Sequence, residues 1–273
     1  MRETNTQYIP TALSIAGSDP SGGAGIQADL KTFSAHQVYG MSVITALTAQ
    51  NTTGVNAIHL VPAEFVATQI NTIFKDIRVD AIKIGMIATA EIAIAIADAL
   101  EKKCDSPIVL DTIMIAKGGH SLLANNAVTA LKTRLLPLAT LITPNLPEAA
   151  HLLETDIAQT RQEIEIQGRA LLKLGAKAIL MKGGHLAGEE SPDLLISESE
   201  AIWLEGKRIN TKNTHGTGCT LSAAIAAELA KGNNLKDAVS SAKAYLRGAI
   251  SAADTLNIGS GHGPTHHFYQ YWR

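Results

Sequence analysis

Short, mostly apolar runs alternate along this chain with longer stretches whose apolar positions recur every three to four residues. The runs at 12–16, 81–84, 107–110, 139–142 and 178–181 have the length and composition of strands buried on both faces. A longer β-branched run at 41–49 is also strand-like. Helical spacing covers 26–38, 62–75 (with Pro62 at its start), 89–102, 121–135, 146–153, 163–174 and 235–252. Strand–helix alternation predicts a mainly parallel, twisted sheet covered by helices on both faces. The pattern changes at 193–197 and 201–204, which flank the polar turn Glu198-Ser199-Glu200 and predict an antiparallel hairpin near the sheet edge. The tail 259–273 has no periodicity. No repeat or linker interrupts the sequence, so a single domain over 1–273 is expected.

One stretch departs from this alternation. Asn213-Thr214-His215-Gly216-Thr217-Gly218-Cys219-Thr220 is a glycine-rich turn that runs into the apolar segment 221–230, closed by Lys231 and Gly232. A helix apolar nearly all round is buried, and the free N–H groups of a buried helix start need partners. A phosphate would satisfy them and sit well in the helix dipole. Cys219 falls in that first turn. Two readings stand level: an anion site beside a thiol of lowered pKa able to act as base or nucleophile, or a tight turn with a buried, inert cysteine.

Composition narrows the classes. A net charge of −2 without a long basic run argues against nucleic acid and anionic membranes as partners. Cys104 and Cys219, the two cysteines, offer neither a disulfide framework nor zinc spacing. No apolar run approaches a membrane span and the first residues carry no signal core, so a cytoplasmic protein is expected.

Other polar residues follow the strands, where the site of such a sheet lies. Asp111 ends the strand 107–110 and suits Mg²⁺, though a turn-forming Asp is commoner. Asn145 and Glu148 have the spacing of a capping box, which on residues alone outweighs a role near a metal-bound water. Lys182-Gly183-Gly184-His185 could hold a phosphate tail, and the P-loop spacing GxxxxGK[ST] is absent. The loop 17–25 lacks dinucleotide-binding spacing. Asp29 lies one turn beyond it; Gln50 ends the second strand and suits the edge of an aminopyrimidine; Met86 could pack on a flat ring.

Taken together, the blocks GSDPSGGAGIQADLKT (17–32), ALTAQNTTGV (46–55), KIGM (83–86), TPNLPEA (143–149), MKGGH (181–185), NTHGTGCTLSAAIAA (213–227) and GHGPTHHF (261–268) closely resemble the hydroxymethylpyrimidine and phosphomethylpyrimidine kinases of thiamine biosynthesis. The resemblance implies a ribokinase-like three-layer α/β/α sandwich with a mainly parallel central sheet and a short antiparallel edge hairpin. It implies a homodimer that uses ATP and Mg²⁺ to phosphorylate 4-amino-5-hydroxymethyl-2-methylpyrimidine and then its monophosphate. By the same resemblance, Gln50 and Asp29 form a pyrimidine-binding polar pair with Gly17 and Met86 as ring neighbours. Gly216, Thr217 and Gly218 form an anion hole, and Cys219 stands where related sugar and pyridoxal kinases have an Asp base. Asp111 and Glu148 belong to the metal region; Lys182, Asn145, Glu148, Thr214 and His215 belong to the nucleotide. Two positions depart from the family's habit: Thr112 replaces a Pro and Asn210 an Asp. The loop 116–120 and the KGGH turn are candidate lids. A pyridoxine or pyridoxal kinase of the same superfamily, and a catalytically silent pyrimidine-binding regulator, are the alternative readings.

Overall fold

The computed structural model describes residues 8–101, 105–113, 125–186 and 188–272. Cys104, the loop 116–120 and the start of the helix expected at 121 lie outside them. Eight strands form the main sheet: β1 (Thr11–Ala16), β2 (Tyr39–Ile44), β5 (Ala81–Ile84), β6 (Ile108–Leu110), β7 (Leu141–Ile142), β8 (Ala178–Lys182), β9 (Asp193–Ser197) and β10 (Ala201–Leu204). Their order is β10-β9-β8-β7-β6-β5-β1-β2, parallel from β2 to β8, with β9 and β10 antiparallel at one edge. The expected edge hairpin is therefore present.

Strand side chains alternate between two cores, as the pleat requires. Leu13, Ile15, Ile82, Ile84, Leu110 and Ile142 point to one, packed under α2 (Ala63–Asp76), α3 (Ala90–Leu100), α4 (Asn125–Ala130), α5 (Leu146–Leu153) and α6 (Arg161–Leu172). Ala12, Ala81, Val109, Leu141, Ala178 and Leu180 point to the other, under α1 (Gly25–Ala35), α7 (Thr217–Ala230) and α8 (Leu235–Ser251). The second face is the smaller-residued one, and α7 answers it with Ala223, Ala224, Ala226 and Ala227, all fully buried. Small against small lets this helix lie close over β1, β5 and β6. Ile225 fills the same interface; truncating it to Ala would cost about 2–5 kcal/mol.

Two segments differ from expectation. The run 41–49 is not one strand. The chain leaves the main sheet at Thr45 and β3 (Ala46–Asn51) pairs with β4 (Gly54–Leu60) in a separate antiparallel ribbon. The break is held by Thr45, whose N–H donates to Ala16 O and whose hydroxyl donates to Met86 O at 2.6 Å. Alternation in β4 is hidden because both of its faces are largely exposed. The tail is irregular in outline, but Thr265 and His267 are buried against α7.

Candidate active site

The carboxyl ends of β1, β5, β6 and β8 and the start of α7 enclose a cleft of about 1460 Å³. Gly17, Gln50, Met86, Asp111, Asn145, Glu148, Lys182, Thr214, His215 and the run Gly216 to Cys219 all line it. Asp29 does not.

Gly216 makes the turn into α7. Its φ is +77°, a conformation open mainly to glycine, and a Cβ there would collide with the Gly23 carbonyl oxygen. Gly216 gives the helix no side-chain cap. Thr217 N–H reaches Thr214 O at 3.4 Å and Thr220 N–H donates to Gly216 O at 2.8 Å. No group among the described residues accepts from the N–H of Gly218 or Cys219, so the first turn of a buried helix faces the cleft with free donors. The tail fixes this turn in place. His215 N–H donates to Gly263 O at 3.0 Å, and Thr220 Oγ1 lies 3.1 Å from His267 Nε2.

Beyond the turn lie three charged groups. Asp111 is buried, held by the hydroxyls of Thr143 and Ser222 at 3.2 and 3.3 Å. Lys182 donates to Asp111 Oδ1 at 3.2 Å and stands 3.9 Å from Glu148 Oε2. Burial works against the Lys182 ammonium, but the charges of Asp111 and Glu148 outweigh it and its pKa lies above the usual lysine value. Glu148 is raised by burial, aided by Asp111 and opposed by Lys182. The capping box is real: Asn145 Oδ1 accepts from Glu148 N–H at 2.8 Å and Glu148 Oε2 from Asn145 N–H at 2.9 Å. Capping and site are the same residues, because the cap presents Glu148 to the cleft. Thr112, where a Pro is usual, donates its hydroxyl to Glu148 Oε2 at 3.2 Å. Arg208 holds the KGGH turn, donating to Gly184 O within it at 2.8 Å and to Leu186 O just after it at 2.6 Å.

The donor set fits a Mg²⁺ ion held mainly by phosphate and water. Among the described residues no three His, Cys, Asp or Glu side chains cluster as an all-protein cage. Asp111 and Glu148 do converge on a position already compensated by a cation, the Lys182 ammonium.

Elsewhere in the cleft Gly17 and Met86 meet. Met86 occupies the room that a side chain at position 17 would need, so Gly17 and Met86 form one wall. Gln50 stands with its amide nitrogen 3.3 Å from His215 Nε2. His215 Nε2 is 2.7 Å from Asp19 Oδ2. His215, expected with the nucleotide, therefore stands against Gln50 and Asp19. Asp19, which the sequence reading passed over, also accepts from Ser21 N–H, Ser21 Oγ and Ala24 N–H. Burial opposes its charge, but the bonds from His215 and Ser21 prevail and hold its pKa below the usual carboxylate range. A turn-rich loop with one Asp followed by Ser two residues later was the available signal.

Asp29 is a correction. It is fully buried behind the wall, where both its oxygens accept from Lys83 Nζ at 3.0 and 2.8 Å and Ser14 Oγ donates at 2.6 Å. Lys83, not Asp29, reaches the cleft. Burial disfavours the Lys83 ammonium, but Asp29, Cys219 and Asp111 outweigh it and raise its pKa.

At Cys219 burial weighs toward the second of the two readings. Burial pushes its thiol up to about 11, although Lys83 and the Gly25 N–H pull the other way. Asp29 and Asp111 add to the rise. The dipole at the helix start does not win against desolvation, so the thiol is protonated at neutral pH.

Comparison with known proteins places this geometry. Residues 19–266 match the family described as phosphomethylpyrimidine kinase. A hydroxymethylpyrimidine/phosphomethylpyrimidine kinase of Salmonella typhimurium is 54% identical over 96% of this chain and 98% of its own. A thiamine biosynthesis bifunctional protein of Geobacter sulfurreducens is 48% identical over 94% of this chain, which spans 52% of that protein. Among solved structures, an ADP complex of Bacillus subtilis pyridoxal kinase superposes with a TM-score of 0.90 at 38% identity, covering 97% of this chain and 100% of that one.

Proposed function

The chain belongs to the phosphomethylpyrimidine kinase family, and from that premise we propose how its cleft carries out the reaction. It is a phosphotransferase of the thiamine pathway with a ribokinase-like fold, acting on the hydroxymethylpyrimidine and then on its monophosphate. The observation that carries the site assignment is the pair of free N–H groups at Gly218 and Cys219, placed between a ring-sized end and a charged end of one cleft.

The pyrimidine lies between Gly17 and Met86 with its edge on Gln50. Its hydroxymethyl arm then points at the start of α7. ATP enters from the Lys182 side. The hydroxymethyl oxygen bonds to the γ-phosphorus as the bond from that phosphorus to ADP breaks, and the alcohol proton leaves on a transferred phosphoryl oxygen; those oxygens are taken by the N–H groups of Gly218 and Cys219 and by the Lys182 ammonium. Phosphoryl transfer passes through a loose transition state, so positioning and charge neutralisation carry most of the acceleration. Cys219, with its thiol protonated, lines the hole and is not the base. Asp111 and Glu148 would hold Mg²⁺, which would neutralise phosphate charge. Lys182 swings its hydrogen bonds from Asp111 to phosphate oxygens as that charge is taken up.

The active form is a cytoplasmic homodimer of single-domain subunits. The exposed apolar residues Leu47, Ile58, Leu60 and Phe65 on and beside the β3–β4 ribbon support the dimer. No helix among the described residues is long and apolar enough to cross a membrane.

The likeness to pyridoxal kinase supports one rival, because both substrates are small aromatic rings with a hydroxymethyl arm. Steady-state kinetics on both substrates separates them. A higher kcat/KM for hydroxymethylpyrimidine is expected; a higher value for pyridoxal would reverse the assignment.

A further inference from the structure

One charge pair lies in the small-residue interface beneath α7, and the reaction as described makes no use of it. Ala12 and Ala81 point toward α7, and the pleat sends Ser14 and Lys83 the same way, nearer the carboxyl ends of β1 and β5. The two are Cα partners across the strands. From α1, Asp29 accepts from Lys83 Nζ on both oxygens, at 3.0 and 2.8 Å, and from Ser14 Oγ at 2.6 Å. All three residues are fully buried. Exchanging a buried ion pair for apolar side chains of similar volume is commonly neutral or stabilising, so folding alone does not require it.

The surroundings hold the ammonium at one place. Gly85 supplies its room, since a Cβ there would meet Lys83 Nζ at 2.7 Å. Burial is the largest influence on the ammonium and opposes it; Asp29, Cys219 and Asp111 stand near enough to outweigh it. An ammonium carries three N–H groups, and the two Asp29 oxygens occupy at most two. Lys83 borders the cleft and Asp29 does not, so the pair is a fixed dipole with its positive end on the cleft side.

We propose that Lys83 is a positioning residue for the transferred phosphoryl group: through the first turn of α7 it adds a fixed positive charge to the free N–H groups of Gly218 and Cys219, and Asp29 and Ser14 keep that charge from moving. Being fully buried, it does not touch the group it acts on. Lys182 changes partners as phosphate arrives, whereas Lys83 is oriented before the charge develops, which is where such a group is worth most.

The proposal rests on the kinase reading, and the outcomes separate the two. Wild-type protein is compared with Ser14→Ala/Asp29→Leu/Lys83→Met, which removes the whole cluster and orphans no charge. The thermal midpoint should equal or exceed that of the wild type, while kcat falls roughly ten- to a hundredfold and the pyrimidine KM moves less than about threefold. A folded triple variant with kcat within about threefold of the wild type overturns the inference. Nitrogen-15 NMR of lysine-labelled wild-type protein decides independently of any variant's folding. The slowest-exchanging ammonium resonance should shift when aluminium fluoride, a mimic of the phosphoryl group in flight, is added to Mg²⁺, ADP and the pyrimidine. A resonance that the mimic leaves in place overturns the inference. Wild-type protein that forms no pyrimidine phosphate sinks the kinase reading and this inference with it; turnover by the wild type matched by the folded triple variant sinks the inference alone.

Discussion

At and behind the proposed ring end of the cleft the acidic groups are paired one to one: Asp19 meets His215 at 2.7 Å, and the fully buried Asp29 meets Lys83 at 2.8 Å. At the phosphate end one ammonium, Lys182, serves two carboxylates at 3.2 and 3.9 Å, and two backbone N–H groups have no partner among the described residues. A fully paired region is stiff, so it can hold a ring in register. An under-paired one is organised for charge that arrives with a ligand and leaves with it. The difference teaches where binding geometry and where charge stabilisation reside.

The largest effect is expected where the two ends join. Gly216→Ala forces a left-handed residue and a collision with Gly23 O. Turnover should fall roughly a thousandfold through misplaced donors, and stability by about 1–3 kcal/mol, read by kinetics and thermal unfolding.

Next comes the phosphate end alone. Lys182→Met should lower kcat/KM for ATP roughly a hundredfold while the pyrimidine KM moves less than about threefold. Equal losses for both substrates would erase the division between the ends.

A smaller effect is expected at Cys219. With the thiol pushed up to about 11, Cys219→Ala should keep turnover within about tenfold. A loss of roughly 10²–10⁴-fold would mark it as the base after all. With Cys104 replaced by Ser, alkylation of Cys219 should likewise accelerate only as pH climbs toward 11.

How much of this was legible in the sequence follows from range. Alternation on the strands, the Asn145–Glu148 box and the hairpin at 193–204 are local, and each was readable. The split at Thr45 was not, because β2 and β3 share one β-branched run and part company through bonds to Ala16 and Met86, distant in sequence. Asp29 was assigned to the ring by the family resemblance; on α1 it turns inward to Lys83, 54 residues on. His215 went to the nucleotide by the family resemblance, whereas the structure pairs it with Asp19, 196 residues away, beside Gln50. The residues lining the site were mostly readable. Their pairing, which sets protonation and orientation, is long-range.

The smallest expected effect lies in the tail behind α7. Burial, aided by the nearby charges of Lys31 and His266, drives His267 down to about 3 from the usual 6.5. Its folded form resists protonation, so its contribution is complete above pH 6.5 and is lost progressively as pH falls to 3. Urea midpoints should show about 1 kcal/mol lost between pH 7.5 and 5.5 in the wild type, and a flatter profile in His267→Gln.

The most direct test of the whole account is to follow the products by mass spectrometry with hydroxymethylpyrimidine, ATP and Mg²⁺. The monophosphate should appear first and then give way to the diphosphate, each step consuming one ATP. Saturable binding of the pyrimidine with neither phosphate formed would contradict it, and would leave the cleft a binding site without transfer.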